Sequence, residues 1–367
     1  MTPSTRRSPR ARRTRTASAL AASMVFTAVL AGCTTTASPR PSASGATPAC
    51  APAAPARSNS VAYASLPPAP FTQAVAGAAG KVVRLEPVTL AFQDFTPADG
   101  TFDGGVLSRA AGLVGAGPGK TVLEVAPGTS THAADIPTTF PSTNQLSVLR
   151  VGTLEPTSGT VLRGFSVQGT EQGHLYNGLR VERVRNLRAS DIAVTAIPGG
   201  AASPPGETFG INDFRTTGSQ WSKVVVDGAG VGASGFGVNN ATDIRICDTV
   251  SKNNRYGMGF AFWQSSGIRC IDCTATDNGR AGFNFERVTG SNELIRPVAT
   301  GNIYGIRISN DQATGRFRII DPQLTDGHLT VTLPYRYNGS TNQQKASDIT
   351  LVVRGKERPD LLRIQRY

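Results

Sequence analysis

Apolar and polar positions alternate in short runs that restart at a near-constant interval between residues 237 and 310. Gly237-Val238, Gly259-Phe260, Gly282-Phe283 and Gly305-Ile306 open these runs at intervals of 22, 23 and 23 residues. In Phe283-Asn284-Phe285-Glu286 and Ile306-Arg307-Ile308-Ser309 the alternation is strict. Period two sends the apolar set inward and the polar set outward. A second apolar run follows each first one, and residues 243–248 align with 267–272 at a spacing of 24. Turns are marked by Asn253-Asn254, Asp277-Asn278 and Gly301-Asn302, because Asn and Gly tolerate the left-handed backbone of a tight corner. A fixed period in the twenties, built from short β-branched runs, predicts a β-solenoid whose units bury a core only by stacking.

The pattern extends in both directions. Asn177-Gly178-Leu179 and Gly210-Ile211-Asn212 read as earlier rungs, widened by insertions such as 198–207. Phe260, Phe262, Phe283 and Phe285 occupy inward positions and are expected to stack in the core. Beyond residue 311 the period is lost. Runs at 317–320, 329–333, 349–353 and 361–364 read as strands of an irregular last rung and a cap.

The Gly-apolar starts with their Asn turns resemble those of the right-handed parallel β-helix proteins, the architecture of the pectate lyases and their relatives. Leu113-Val114-Gly115-Ala116-Gly117 followed by Thr121-Val122-Leu123 is similar to an early rung of such proteins. The resemblance covers about residues 80–335 and implies an all-β, right-handed, single-stranded parallel β-helix. It leaves the chemistry open, since this superfamily holds lyases, hydrolases, epimerases and non-catalytic members.

The N-terminus has a different pattern. Arg6, Arg7, Arg10, Arg12, Arg13 and Arg15 precede an apolar stretch at 17–31, which ends in Leu30-Ala31-Gly32-Cys33. Basic flank, short apolar run and small-residue exit form a secretory signal. The Leu-Ala-Gly-Cys ending resembles the bacterial lipobox, which implies lipidation of Cys33. Residues 1–32 are thus expected to be a lipoprotein signal peptide. Residues 33–66, rich in Ser, Thr, Ala and Pro, read as a disordered tether. The β-helix is assigned to 67–335 and an irregular rung or cap to 336–367. The expected location is the extracytoplasmic face of a cell membrane, held by the lipid anchor alone.

Export changes how charge and cysteines are read. The chain carries +12, and removing the six arginines of the signal leaves +6. That excess suits an acidic polysaccharide or an anionic envelope. No basic run interleaved with aromatics appears in the body, so no nucleic-acid partner is expected, and the chain reads as a monomer. Cys50, Cys247, Cys270 and Cys273 would meet an oxidising space. Spacing 24 stacks Cys247 on Ile271 and Cys270 on Ile246, so a Cys247–Cys270 bridge requires a shift of one residue. Disulfide and buried thiol both remain open. His132, His174 and His328 are far apart, and no metal site is expected.

Candidate chemistry lies on the outward positions after each Gly-apolar start. Arg180, Glu182, Asn212, Asn239, Ala261, Trp263, Asn284, Glu286, Arg307 and Ser309 would stack into one exposed strip. Amides, arginines, a carboxylate and an indole can bond sugar hydroxyls, pair with uronates and stack on a pyranose. Trp263, Asn284, Arg307, Asn239, Glu182 and Arg180 are the candidate substrate-binding residues. Glu286 is the candidate catalytic acid, with Asp213, Glu182 or Asp311 as possible partners. An enzyme here would be a polysaccharide lyase or a glycoside hydrolase. Pectate lyases use Ca²⁺ on clustered Asp residues with an Arg base. Arg245/Arg269 and Asp248/Asp272 recur one rung apart, but no compact Asp cluster is visible, so neither calcium nor another cofactor is indicated. Gly119-Lys120-Thr121 lacks the first Gly of a phosphate-binding loop and reads as a turn. The expected function is binding or processing of an extracellular or cell-wall polysaccharide. The competing expectation is a non-catalytic structural or adhesion module.

Overall fold

A computed structural model describes residues 60–63 and 78–367 apart from 93–95, 99–100, 109, 127–146, 153–156, 170–174, 176, 198–207, 233, 312–313 and 338. The signal peptide, Cys33, Cys50 and the insertion at 198–207 lie outside the described residues. The chain from residue 45 onward forms one unit. It is a right-handed parallel β-helix, nearly all strand. No helix among the described residues is long and apolar enough to cross a membrane.

Each full coil has three faces. Face one stacks Ser147–Val151, Asn177–Glu182, Phe209–Phe214, Ser234–Asn239, Phe260–Trp263, Ala281–Glu286, Tyr304–Ser309, Leu329–Leu333 and Leu362–Arg366 in parallel. Face two includes Arg245–Cys247 and Arg269–Ile271, and face three Val250–Lys252 and Thr274–Thr276. In the middle coils the residue between faces two and three is left-handed: φ is 53° at Asp191, 47° at Asp248, 53° at Asp272 and 50° at Arg296. Few L residues accept this conformation, and Asp is among the tolerant ones. This bend separates Arg269 from Asp272 across a corner.

The predicted register holds. Arg245 lies opposite Arg269, Ile246 opposite Cys270 and Cys247 opposite Ile271. Phe260 stacks on Phe283 at 5.1 Å and Phe262 on Phe285 at 4.7 Å, all inside the core. Burying each ring contributes about 2–3 kcal/mol. The expected turns are also present: Asn253, Asp277 and Gly301 are left-handed, and the next residue of each turns inward. Asn254 Nδ2 donates to Asn278 Oδ1 at 2.7 Å, and Asn278 Nδ2 to Asn302 Oδ1 at 2.9 Å.

The N-terminal end differs from expectation. Ser60–Tyr63, within the stretch assigned to the tether, pairs with Val82–Leu85 and starts the sheet of face two. At the other end Ile349–Val353 and Leu362–Arg366 continue faces two and one. The coil therefore extends through the segment read as an irregular rung or cap, as the first of those two alternatives. The lost period there reflects longer connections between strands that still stack. Cys270 bridges Cys273, which replaces the Cys247–Cys270 alternative. Both sit in the core on either side of the left-handed Asp272, so the corner turns their side chains toward each other.

Candidate functional site

Face one presents two outward columns. The first runs Arg150, Arg180, Asn212, Gly237, Ala261, Asn284, Arg307, Thr332. The second runs Glu182, Phe214, Asn239, Trp263, Glu286, Ser309. The predicted residues are thus brought into line, with Asn239 in the second column beside Trp263. The strip is not the open, solvated surface that alternation implied. Arg180 is 1 % exposed, Glu182 2 %, and Asn212, Asn239 and Asn284 are also buried.

At the N-terminal end, Arg150 and Arg180 share Glu182, with nitrogen–oxygen distances of 3.4 and 3.1 Å. The guanidinium of Arg180 lies 4.6 Å from the Phe214 ring centre. Buried charges need such pairing. Asn239 donates to Asn212 at 2.7 Å. In the middle, Gly237 and Ala261 leave the first column without a long side chain. Phe209, Met258, Ala261 and Ala281 form an apolar cluster there, with Tyr304 packed against it.

The C-terminal end is the more accessible one. Arg307 Nη1 donates to Asn284 Oδ1 at 2.9 Å and to Glu286 Oε1 at 3.2 Å. Asn284 also donates to Glu286 at 2.8 Å. Arg307 Nε donates to the Tyr367 hydroxyl at 3.2 Å, and Tyr367 stacks on Tyr304 at 5.5 Å. The hydrogen bond with Tyr367 holds the Tyr304 hydroxyl above the usual phenol range. Tyr367 is exposed and Trp263, next to Glu286 in register, is half-buried. Spacing could not find Tyr367, because it follows the region where the period fails. Tyr304 directly precedes a rung-starting Gly and was within reach of the pattern.

Of the three carboxylates that the sequence offers Glu286 as partners, two are remote or turned inward and the third is engaged by an arginine. Glu182 lies four strands away, about 19 Å at 4.8 Å per strand. Asp311 is held by Arg287 through two bonds, which keeps its carboxyl below the usual range. Asp213 faces the interior, opposite Val181 and Val238, and accepts from Trp221 Nε1 at 2.9 Å and Ser219 Oγ at 3.5 Å. Burial pushes its pKa up to about 6. Hydrolysis requires two carboxylates about 5–10 Å apart. In the Arg/Asp columns, Arg269 pairs with Glu293 and Asp272 with Arg296. No group of three or more His, Cys, Asp or Glu converges among the described residues.

No protein-family model and no curated protein matches the chain. Among solved structures it is similar to the A-module of the Azotobacter vinelandii mannuronan C-5 epimerase AlgE4. That likeness has a TM-score of 0.53 at 15% identity, over 81% of this chain and 82% of that one. An alginate lyase from a Paenibacillus strain aligns at TM-score 0.45 and 13% identity, over 83% of this chain and 99% of that one. The pectate lyase Pel9A aligns at 0.43 and 15%, over 77% and 71%. The protein thus shares the parallel β-helix fold of the epimerase module. At these identities the likeness extends to the fold alone.

Proposed function

We propose that this is an exported, lipid-anchored surface protein that binds an acidic polysaccharide along the C-terminal half of face one. The observation that carries this reading is the fixed guanidinium of Arg307. Asn284, Glu286 and Tyr367 hold it from three sides, with Trp263 and the Tyr304–Tyr367 stack beside it. A preoriented guanidinium suits a sugar carboxylate, and the rings suit the apolar face of a pyranose. The mannuronan epimerase of the same fold makes an acidic sugar polymer the first ligand to test. Glu286 serves here to position Arg307, and recognition is the activity that this bonded arrangement supports.

The test is titration of the chain with polymannuronate, polygalacturonate and a neutral glucan, with product analysis, with and without Ca²⁺. Salt-sensitive binding of the uronates without new chain ends supports the reading. Chain cleavage would make the protein an enzyme. Equal or absent binding of all three would favour the structural module, which the internally bonded Arg150–Glu182–Arg180 cluster also fits.

A further inference from the structure

One aromatic ring lies across the C-terminal end of the face-one strip. Tyr367 follows Leu362–Arg366, a strand two places beyond Tyr304–Ser309 in the stack. Two strand spacings are about 10 Å. Yet the ring centres of Tyr367 and Tyr304 are 5.5 Å apart, with their planes 5° from parallel. The Tyr367 hydroxyl accepts from Arg307 Nε at 3.2 Å. Tyr367 therefore leans back over the outer surface of the intervening strand, Leu329–Leu333, until its ring reaches the rung of Arg307. Exposure along the columns agrees. Arg307 and Glu286 keep 18 % and 15 % of their side-chain surface open. The next outward residues in the two columns are covered: Thr332, after Arg307, is 2 % exposed, and Ser309, after Glu286, is wholly buried. Asn284 and Glu286 engage Nη1 of Arg307 and Tyr367 engages Nε, so Nη2 is the nitrogen left without a partner among the described residues.

We propose that this site takes the terminal sugar of an acidic polysaccharide, and that Tyr367 is the stop against which the chain end sits. The proposal deepens the reading of face one as a uronate-binding strip and rests on it. A uronate carboxylate on Arg307 Nη2 brings its pyranose beside the Tyr304–Tyr367 stack. Trp263 stands two strands back from Arg307, about 10 Å away, where it can carry the following sugar. From Arg307 the polymer can therefore run toward Trp263 along the two columns. In the opposite direction it meets the ring of Tyr367 and the covered Thr332 and Ser309. An internal sugar needs room for the chain on both sides, whereas a terminal sugar needs it on one side alone. A terminal sugar also carries a free hydroxyl where an internal one carries a glycosidic bond. The exposed Tyr367 hydroxyl is a donor and acceptor suited to that group.

The test titrates the full chain with polymannuronate and polygalacturonate, each as short oligomers and as long polymer, and counts the proteins bound per sugar chain. One protein per chain at every length supports the proposal. A count that grows with chain length overturns it while leaving uronate binding in place. No binding at any length overturns uronate binding and the proposal with it. Tyr367→Ala takes the stop away, so several proteins should then bind each long chain. Tyr367→Phe keeps the ring and should stay at one protein per chain, with weaker affinity because the Arg307 Nε bond is lost. A count of one in Tyr367→Ala would overturn the role given to Tyr367. Bulky labels placed on the reducing end or on the non-reducing end then separate the two kinds of chain end. Loss of binding with one label identifies the end that is held, and full binding with both ends labelled overturns the proposal.

Discussion

Asp213 shows what a single residue can do to this fold. Its carboxyl is enclosed in the core, and burial raises its pKa from 3.8 to about 6 against the bonds that favour the charged form. Between these values the native state holds a proton that the unfolded chain has released. Stability therefore falls as pH rises through this window, by up to ~3 kcal/mol. Asp213→Asn keeps an acceptor for Trp221 and removes the titration. The variant should gain stability at pH 7 relative to pH 4 when wild type and variant are compared by urea midpoints at both. An equal pH dependence in the two would assign it to other groups. On face one, Arg307→Ala should weaken uronate binding about tenfold and flatten its salt dependence, while Trp263→Ala should lower affinity without changing salt dependence. Calorimetric titration at two ionic strengths separates the two roles. The residue scale is also where the sequence was least legible. Period two placed Arg180, Glu182 and Asn284 on the outer side correctly, but it carries no information about what buries them. It also left Asp213 without a side, because a carboxylate in an inward column breaks the rule that the pattern relies on.

At the scale of elements, the Asn turns were legible because each rung repeats them. Asn278 occupies the middle of the ladder, taking a hydrogen bond from Asn254 and giving one to Asn302. Asn278→Ala would remove the side-chain bonds to Asn254, Asn302 and Ser251 O together and should cost about 3 kcal/mol. Asn302→Ala, at the less buried end, should cost about half of that. Urea midpoints at constant m-value would measure the difference, and equal losses would mean that the bonds are not coupled along the ladder. The corners between faces two and three were harder to foresee. Asp248 and Asp272 recur with Arg245 and Arg269 one rung apart, and the structure places both where the backbone turns left-handed. The same turn hid the Cys270–Cys273 bridge, which a straight strand would not permit.

For the whole molecule, the sequence was most informative in the middle and least at the ends. The even rungs from 237 to 310 announced the coil, whereas Ser60–Tyr63 and Leu362–Arg366 lie where spacing is irregular and only pairing with a neighbour reveals a strand. Location is a prediction at this scale as well. Cys33→Ser should release the protein from membranes into the soluble envelope or medium fraction, as membrane fractionation would show, and retention in membranes would refute the lipid anchor. The Asn ladder has a further consequence, for chemical ageing. Asn278 is followed by Gly279, a pair in which the backbone nitrogen readily attacks the side-chain amide to release ammonia. In the folded protein that nitrogen donates to Asn254 O at 2.9 Å, and the Asn278 amide donates to Ser251 O and Asn302. Both reactants are held back while the coil is closed. Once the coil opens, the reaction can leave a carboxylate where the ladder needs a donor, facing two oxygens. A sample held hot would therefore lose its ability to refold step by step, so that for this protein heat is a clock as well as a denaturant.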